Sequence, residues 1–162
     1  MAKQIYILRH ALTEPYSDSG GDFGRSLIAK GFEDAAKMGE KIVASGFIPE
    51  AIYCSTAKRT QQTLEMAWPH IGASDPKMTH LDELYLASEG DILNIIHNLP
   101  ETAQKVMIIG HNPGVHHLVQ ILSASTLMNF SPATCAVLQS EHASWQDITP
   151  DSMKLAELLV AN

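Results

Sequence analysis

Val106-Met-Ile-Ile109 is a run of four apolar residues, and Gly110-His111-Asn112-Pro113-Gly114 follows it directly. A short, β-branched apolar run bounded by a turn reads as a strand covered on both faces. The turn opens a helix: Asn112 is placed to cap it, Pro113 stands at the first helical position, and apolar residues recur to about Leu122. The same strand–turn–helix unit recurs upstream. Gln4 to Leu8 reads as a buried strand, and Ser17 to Gly24 as a flexible Ser/Asp/Gly loop. Phe32, Ala35, Ala36, Gly39, Ile42 and Val43 form one helical stripe that Gly46 ends. Ala51 to Cys54 is a second strand, and Ala57 to Trp68 a helix with Ser55 or Thr56 as its cap and Pro69 as its stop. Lys77 to His80 is a weaker strand and Glu89 to Asn98 a helix. Thr134 to Gln139 and Met153 to Leu159 read as strands, partly antiparallel. The βαβαβα order predicts an α/β fold in three layers, a mainly parallel central sheet with helices on both faces. Residues 1–162 read as a single domain.

Composition narrows the classes of function. With 18 acidic residues against 11 basic ones the net charge is −7, and no Lys/Arg stripe is present. Such a chain is a poor binder of duplex nucleic acid or anionic lipid. No apolar run approaches the roughly 20 residues of a membrane span, and the N-terminal stretch lacks a secretory pattern. Cys54 and Cys135 sit in apolar, β-like segments and read as small buried hydrophobes rather than a bridge. A cytoplasmic protein in a reducing compartment is expected. Only three arginines are present, against eight histidines.

Three strand ends carry the unusual residues. His10 follows the first strand, Ser55 to Arg59 the second, and His111 the Val106 strand. Ligands of open α/β sheets bind at the carboxyl ends of the parallel strands. If these strands are neighbours, Arg9, His10, Arg59 and His111 converge on one rim beside a helix N-terminus. Two guanidiniums and two imidazoles suit a dianionic phosphoryl group. Taken singly, an arginine at a strand end is ordinarily a surface ion-pair partner, and a lone histidine a structural or solvated one. Joint placement favours the functional reading. His116 and His117 follow neither a zincin nor a finger spacing, so no metal is expected. His70, His80, His97 and His142 have no partner in sequence.

At these residues the chain resembles the histidine phosphatase superfamily, the group that includes the phosphoglycerate mutases, and within it the SixA-type phosphohistidine phosphatases. Leu8-Arg9-His10-Ala11 is similar to the Arg-His-Gly signature. Arg25-Ser-Leu-Ile-Ala-Lys-Gly31 is similar to an Arg-x-Leu-Thr-x-x-Gly segment, and Cys54-Ser-Thr-Ala-Lys-Arg59-Thr-Gln-Gln-Thr63 to a Ser-Pro-x-x-Arg-x-x-x-Thr element. Leu81-Asp-Glu-Leu-Tyr85 and Ile109-Gly-His-Asn-Pro-Gly114 resemble two further blocks. Ala11 stands for the glycine and Thr56 for the proline. The acidic and asparagine positions that follow Arg-His-Gly in the mutases are not recognisable in residues 12–16.

The resemblance implies that His10 is the nucleophile, forming a covalent phosphohistidine that water cleaves. It implies that Arg9, Arg59 and His111 bind the phosphoryl oxygens, without metal or cofactor. Glu83 matches the acid-bearing position and is the expected general acid for an alcohol leaving group. The expected partner is a phosphohistidine-bearing protein; a small phosphomonoester is the alternative, and a non-catalytic phosphate-binding module a second one. The short linkers, including residues 72–77, leave little material for a lid and predict an open, shallow site with His10 at its floor. A monomer or weak dimer is expected.

Overall fold

The computed structural model describes residues 2–17, 21–71, 76–142 and 144–161. Alternation along the first strand sets the layers. In β1 (Lys3–Arg9), Ile5 and Ile7 join one core while Tyr6 and Leu8 join another, and all four are buried. Successive strand side chains point to opposite faces, so burial of both sets requires cover on both sides. β4 (Lys105–Gly110) repeats the pattern, with Val106 and Ile108 on one face and Met107 and Ile109 on the other.

The remaining strands are β2 (Ala51–Ser55), β3 (Lys77–Leu81), β5 (Cys135–Ser140) and β6 (Lys154–Leu159). They form one sheet in the order β3-β2-β4-β1-β5-β6. β1, β2, β3 and β4 are parallel, whereas β5 runs antiparallel to β1 and β6 antiparallel to β5. The sheet is therefore mainly parallel with an antiparallel C-terminal edge, as the sequence pattern predicts. β3 lies at the other edge and is the most exposed of the four parallel strands, which is why its apolar signal is weak.

α1 (Ala29–Ala44) and α2 (Lys58–Ile71) cover the face of Tyr6 and Leu8, through Met38, Ile42, Leu64, Ala67 and Ile71. α3 (Glu89–His97) and α4 (Gly114–Ser123) cover the opposite face, through Ile92, Ile96, Val115, Leu118, Val119 and Leu122. α1 ends as its sequence predicts: Ser45 closes the last turn and Gly46 follows at φ +85°, a left-handed conformation that costs glycine nothing. Ser88 and Asp91 form a reciprocal capping box at the start of α3.

Three local expectations are corrected. Pro69 does not stop α2, which continues to Ile71. A proline in the last turn removes a single helical hydrogen bond, and burial of Ile71 in the core offsets that loss. Asn112 does not cap α4: its Nδ2 donates to the carbonyl of Phe130 at 2.9 Å, which holds the side chain away from the helix start, and its buried Oδ1 accepts from no amide among the described residues. Of the stretch read as a flexible loop, Gly21–Gly24 is a 3-10 turn, while residues 18–20 lie outside the described residues. Residues 72–75 of the segment read as too short for a lid lie outside them as well.

The topology creates a crevice. β1 and β4 are neighbours, yet the chain leaves β1 for α1 on one face and β4 for α4 on the other. The space between the departing segments, at the carboxyl ends of β2, β4 and β1, is where ligands bind in such sheets.

Candidate active site

His10 is the first residue beyond β1, and its backbone is fixed on both sides. Its N–H donates to the Gly110 carbonyl at the end of β4 (3.2 Å), and its carbonyl accepts from Ala133 N–H (3.0 Å). The ring is nearly sealed, with 7% of the residue exposed. Nδ1 lies 2.8 Å from the Ala11 carbonyl. A carbonyl only accepts, so Nδ1 carries the hydrogen and the Nε2 lone pair is left free. Burial pushes the pKa down to about 4, with Arg59, Arg9 and Arg25 adding to the effect against the opposing Ala11 bond. The imidazole is therefore neutral at neutral pH. Thr63 anchors the next residue: Ala11 N–H donates to its Oγ1 (3.0 Å), and that hydroxyl donates to the Arg59 carbonyl (2.7 Å).

His111 follows β4, its ring centroid 5.4 Å from that of His10. Burial, then the charge of Arg59, lowers its pKa to about 3. Its Nε2 is 2.8 Å from Ser55 Oγ at the end of β2, and the same Oγ accepts from Ala57 N–H at 3.3 Å. Ser55 is fully buried, and among the described residues His111 Nε2 is the acceptor available to its hydroxyl hydrogen. Neutral His111 then carries its own hydrogen on Nδ1. That buried Nδ1 has no partner among the described residues.

Arg59 lies in the first turn of α2 and is 3% exposed. Its two terminal nitrogens donate to Asp22, Nη1 to the carbonyl (2.7 Å) and Nη2 to the carboxylate (3.0 Å). Arg9 donates from Nη1 to the Phe130 carbonyl at 2.9 Å, and burial and the neighbouring Arg59 lower its pKa. Both arginines keep a buried Nε–H without a partner among the described residues. Tyr85 stands at the rim: its hydroxyl donates to the Asp22 carboxylate (2.6 Å), its ring meets His111 edge-on at 5.5 Å between centroids, and the Arg59 guanidinium lies 5.8 Å from its centroid. Neutral His10, oriented His111 and two arginines can together bind and stabilise a compact dianion beside a free imidazole nitrogen.

Comparison with known proteins agrees with this chemistry. Residues 5–105, more than half of the chain, match the family model of the histidine phosphatase superfamily, branch 1. The chain belongs to that superfamily. It is 26% identical over 156 residues to an uncharacterized chloroplastic protein of Arabidopsis thaliana, covering 91% of this chain and 71% of the relative. A Nakamurella multipartitia structure assigned as phosphohistidine phosphatase SixA superposes with a TM-score of 0.85 at 25% identity, over 98% of this chain and 96% of that one. A protein histidine phosphatase SixA complexed with tungstate shares the fold at a TM-score of 0.83 and 21% identity, over 98% and 97% of the two chains. Superfamily membership and these neighbours support a phosphatase.

Within this histidine phosphatase fold, His10, His111, Arg9 and Arg59 come together as their strand-end positions predict. Glu83 is exposed on the 3-10 turn after β3, and among the described residues it makes no hydrogen bond or ion pair with them. Ser55, a candidate cap in the sequence, has a second contact the sequence did not indicate, since its hydroxyl serves both the start of α2 and His111. Asp22 and Tyr85 were not singled out by the sequence. The Asp22–Arg25 spacing of three is a local signal, and the two side chains pair at 3.0 Å. The Asp22–Arg59 and Asp22–Tyr85 contacts span 37 and 63 positions and leave no local trace. Elsewhere His97 and His116 bond to the carbonyls of Ile148 and Leu127, and His117 lies 3.6 Å from Glu89. Among the described residues no three His, Cys, Asp or Glu side chains converge as a metal site, and no helix is long and apolar enough to cross a membrane.

Proposed function

We propose that this chain is a metal-independent phosphatase that transfers a phosphoryl group to His10 and then to water, with phosphohistidine on a partner protein as its substrate. The observation that carries the reading is a set of three buried donors without partners among the described residues, Arg9 Nε, Arg59 Nε and His111 Nδ1, in the same cluster as a neutral His10. Buried donors without acceptors are costly unless function uses them. Three donors suit three non-bridging phosphoryl oxygens.

In the first step the His10 Nε2 lone pair attacks phosphorus in line, and the bond to the leaving atom breaks with its electron pair. In the second, water attacks the phosphohistidine, inorganic phosphate leaves, and His10 regains its lone pair. Arg9, Arg59 and His111 hold the oxygens through both steps, so the charge stabilisation comes from the chain itself. A protonated imidazole leaving group departs neutral without a separate acid. An alkoxide does not, and Glu83 is the proposed acid for such esters. The SixA relationship supports the phosphohistidine assignment. The two free, buried thiols fit the proposed cytoplasmic setting.

The test is turnover with labelled phosphohistidine peptide, p-nitrophenyl phosphate and sugar phosphates, with acid-labile label trapped on the protein. Label on His10, and a kcat/KM highest on the peptide, are expected. Higher kcat/KM on sugar phosphates would assign a small phosphomonoester instead. Tight binding without turnover would make the chain a phosphate-binding module. Unchanged turnover in His10→Ala would refute the mechanism.

A further inference from the structure

Asp22 brings a negative charge to a site built for anions. The segment that carries it is tied at its neck by Ile28 N–H to the Leu12 carbonyl (3.0 Å) and Glu14 N–H to the Ser26 carbonyl (2.8 Å). From there the 3-10 turn reaches the start of α2, where Phe23 packs edge-on against Tyr85 at 5.0 Å between centroids. Arg59, Arg25 and the Tyr85 hydroxyl all bond the one carboxylate. Tyr85 foremost, with Arg59 and Arg25, holds its pKa down at about 2, so the group is anionic throughout the working range. Its charge is also felt at His111, where it opposes the lowering caused by the arginines.

Asp22 does not simply occupy the phosphoryl position. It takes Nη1 and Nη2 of the Arg59 guanidinium and leaves Nε without a partner among the described residues. A guanidinium has two usable edges, so Arg59 can hold the carboxylate and a phosphoryl oxygen at the same time. The substrate therefore meets a site in which a fixed carboxylate borders the phosphoryl pocket.

We propose that Asp22 is a specificity-determining residue that selects the group attached to the phosphorus: it admits a neutral or cationic leaving group such as an imidazole and rejects phosphoesters bearing a nearby carboxylate. This rests on the phosphatase reading above. An anionic group beside the phosphoryl group meets a like charge that cannot be neutralised by protonation. A phosphorylated imidazolium meets an opposite charge that favours the proton on its distal nitrogen. When His10 Nε2 bonds to phosphorus, the substrate P–N bond breaks and its electron pair returns to the ring nitrogen. The distal proton stays in place, and neutral imidazole departs.

The experiment compares kcat/KM for phosphoimidazole and for phosphoglycolate, whose carboxylate adjoins the ester. The wild-type protein is expected to favour phosphoimidazole. In Asp22→Asn that preference is expected to fall at least about tenfold, mainly through a lower KM for phosphoglycolate. Tyr85→Phe, which keeps the charge and removes one bond to it, is expected to keep the preference. Asp22→Ser gives the same readout should the asparagine variant not fold. A smaller change in the ratio, including parallel loss on both substrates, overturns the proposal and leaves Asp22 a scaffold for Arg59. If that happens while His10-dependent turnover persists, only this inference falls. If His10→Ala retains wild-type turnover, the phosphatase reading falls with it.

Discussion

His10 has its tautomer set by one carbonyl and its charge state set by burial. With a pKa of about 4, its neutral form dominates above that value. The acidic limb of kcat/KM is therefore expected near pH 4 rather than at the 6.5 of a free imidazole, and a pH profile on phosphoimidazole checks it. Arg59→Lys keeps the charge but loses the two-edged fork, and is expected to lower kcat/KM about a hundredfold in steady-state assays. Ser55→Ala removes the hydroxyl that sets the proton on His111 Nδ1. It is expected to cost about tenfold, chiefly in kcat, with KM little changed. Glu83→Gln is expected to slow an alkyl phosphate about tenfold and leave phosphoimidazole unaffected; equal losses on both would remove Glu83 from the reaction. Arg9, His10, Arg59 and His111 were legible in the sequence because each abuts a strand or helix end. Asp22 was not, because Arg59 and Tyr85, the partners that tie it to the site, come from elements far away along the chain.

At the scale of elements, the site depends on how closely α1 meets α2. A Cβ on Gly39 would run into the backbone of Ala67, and Gly39 is on the buried side of α1. α2 carries Arg59 and Thr63, so a shift of this helix moves both an oxyanion donor and the anchor of Ala11. Gly39→Ala is expected to destabilise the protein by about 1–3 kcal/mol in thermal melts and to lower activity further than the stability loss explains. The periodicity of residues 32–43 identified this helix and, in Ala35, Gly39 and Ile42, part of its buried face, but it placed the exposed Val43 there, missed the buried Met38, and could not say that the glycine marks a backbone contact. Periodicity reports which side is covered, not how closely. The continuation of α2 past Pro69 has the same origin, since burial of Ile71 is a tertiary fact.

At the scale of the molecule, the buried site makes the fold sensitive to acid. His10 and His111 take up protons near pH 6.5 when unfolded, but only near about 4 and about 3 when folded. Between these values the unfolded chain binds more protons, so stability rises with pH and is lost as pH falls from 6.5 towards 3. Asp22 extends the loss towards about 2, because its carboxylate is favoured in the folded state. Melting temperature measured against pH is expected to fall across this window, and less steeply in a His10→Gln/His111→Gln double variant. The −7 net charge adds a constraint: an anionic substrate is drawn in by the local arginines against the field of the whole chain.

The sequence by itself determined the layers, the mainly parallel character of the sheet and the strand-end placement of Arg9, His10, Arg59 and His111. Those properties follow from side-chain periodicity and turn chemistry, which act over a few neighbouring residues. Tertiary structure alone decided which edge of each guanidinium stays free, which nitrogen of His111 carries the hydrogen, and that Asp22 and Tyr85 border the pocket. Those depend on hydrogen-bond partners 37 to 121 positions apart, brought within reach only when the strand ends assemble.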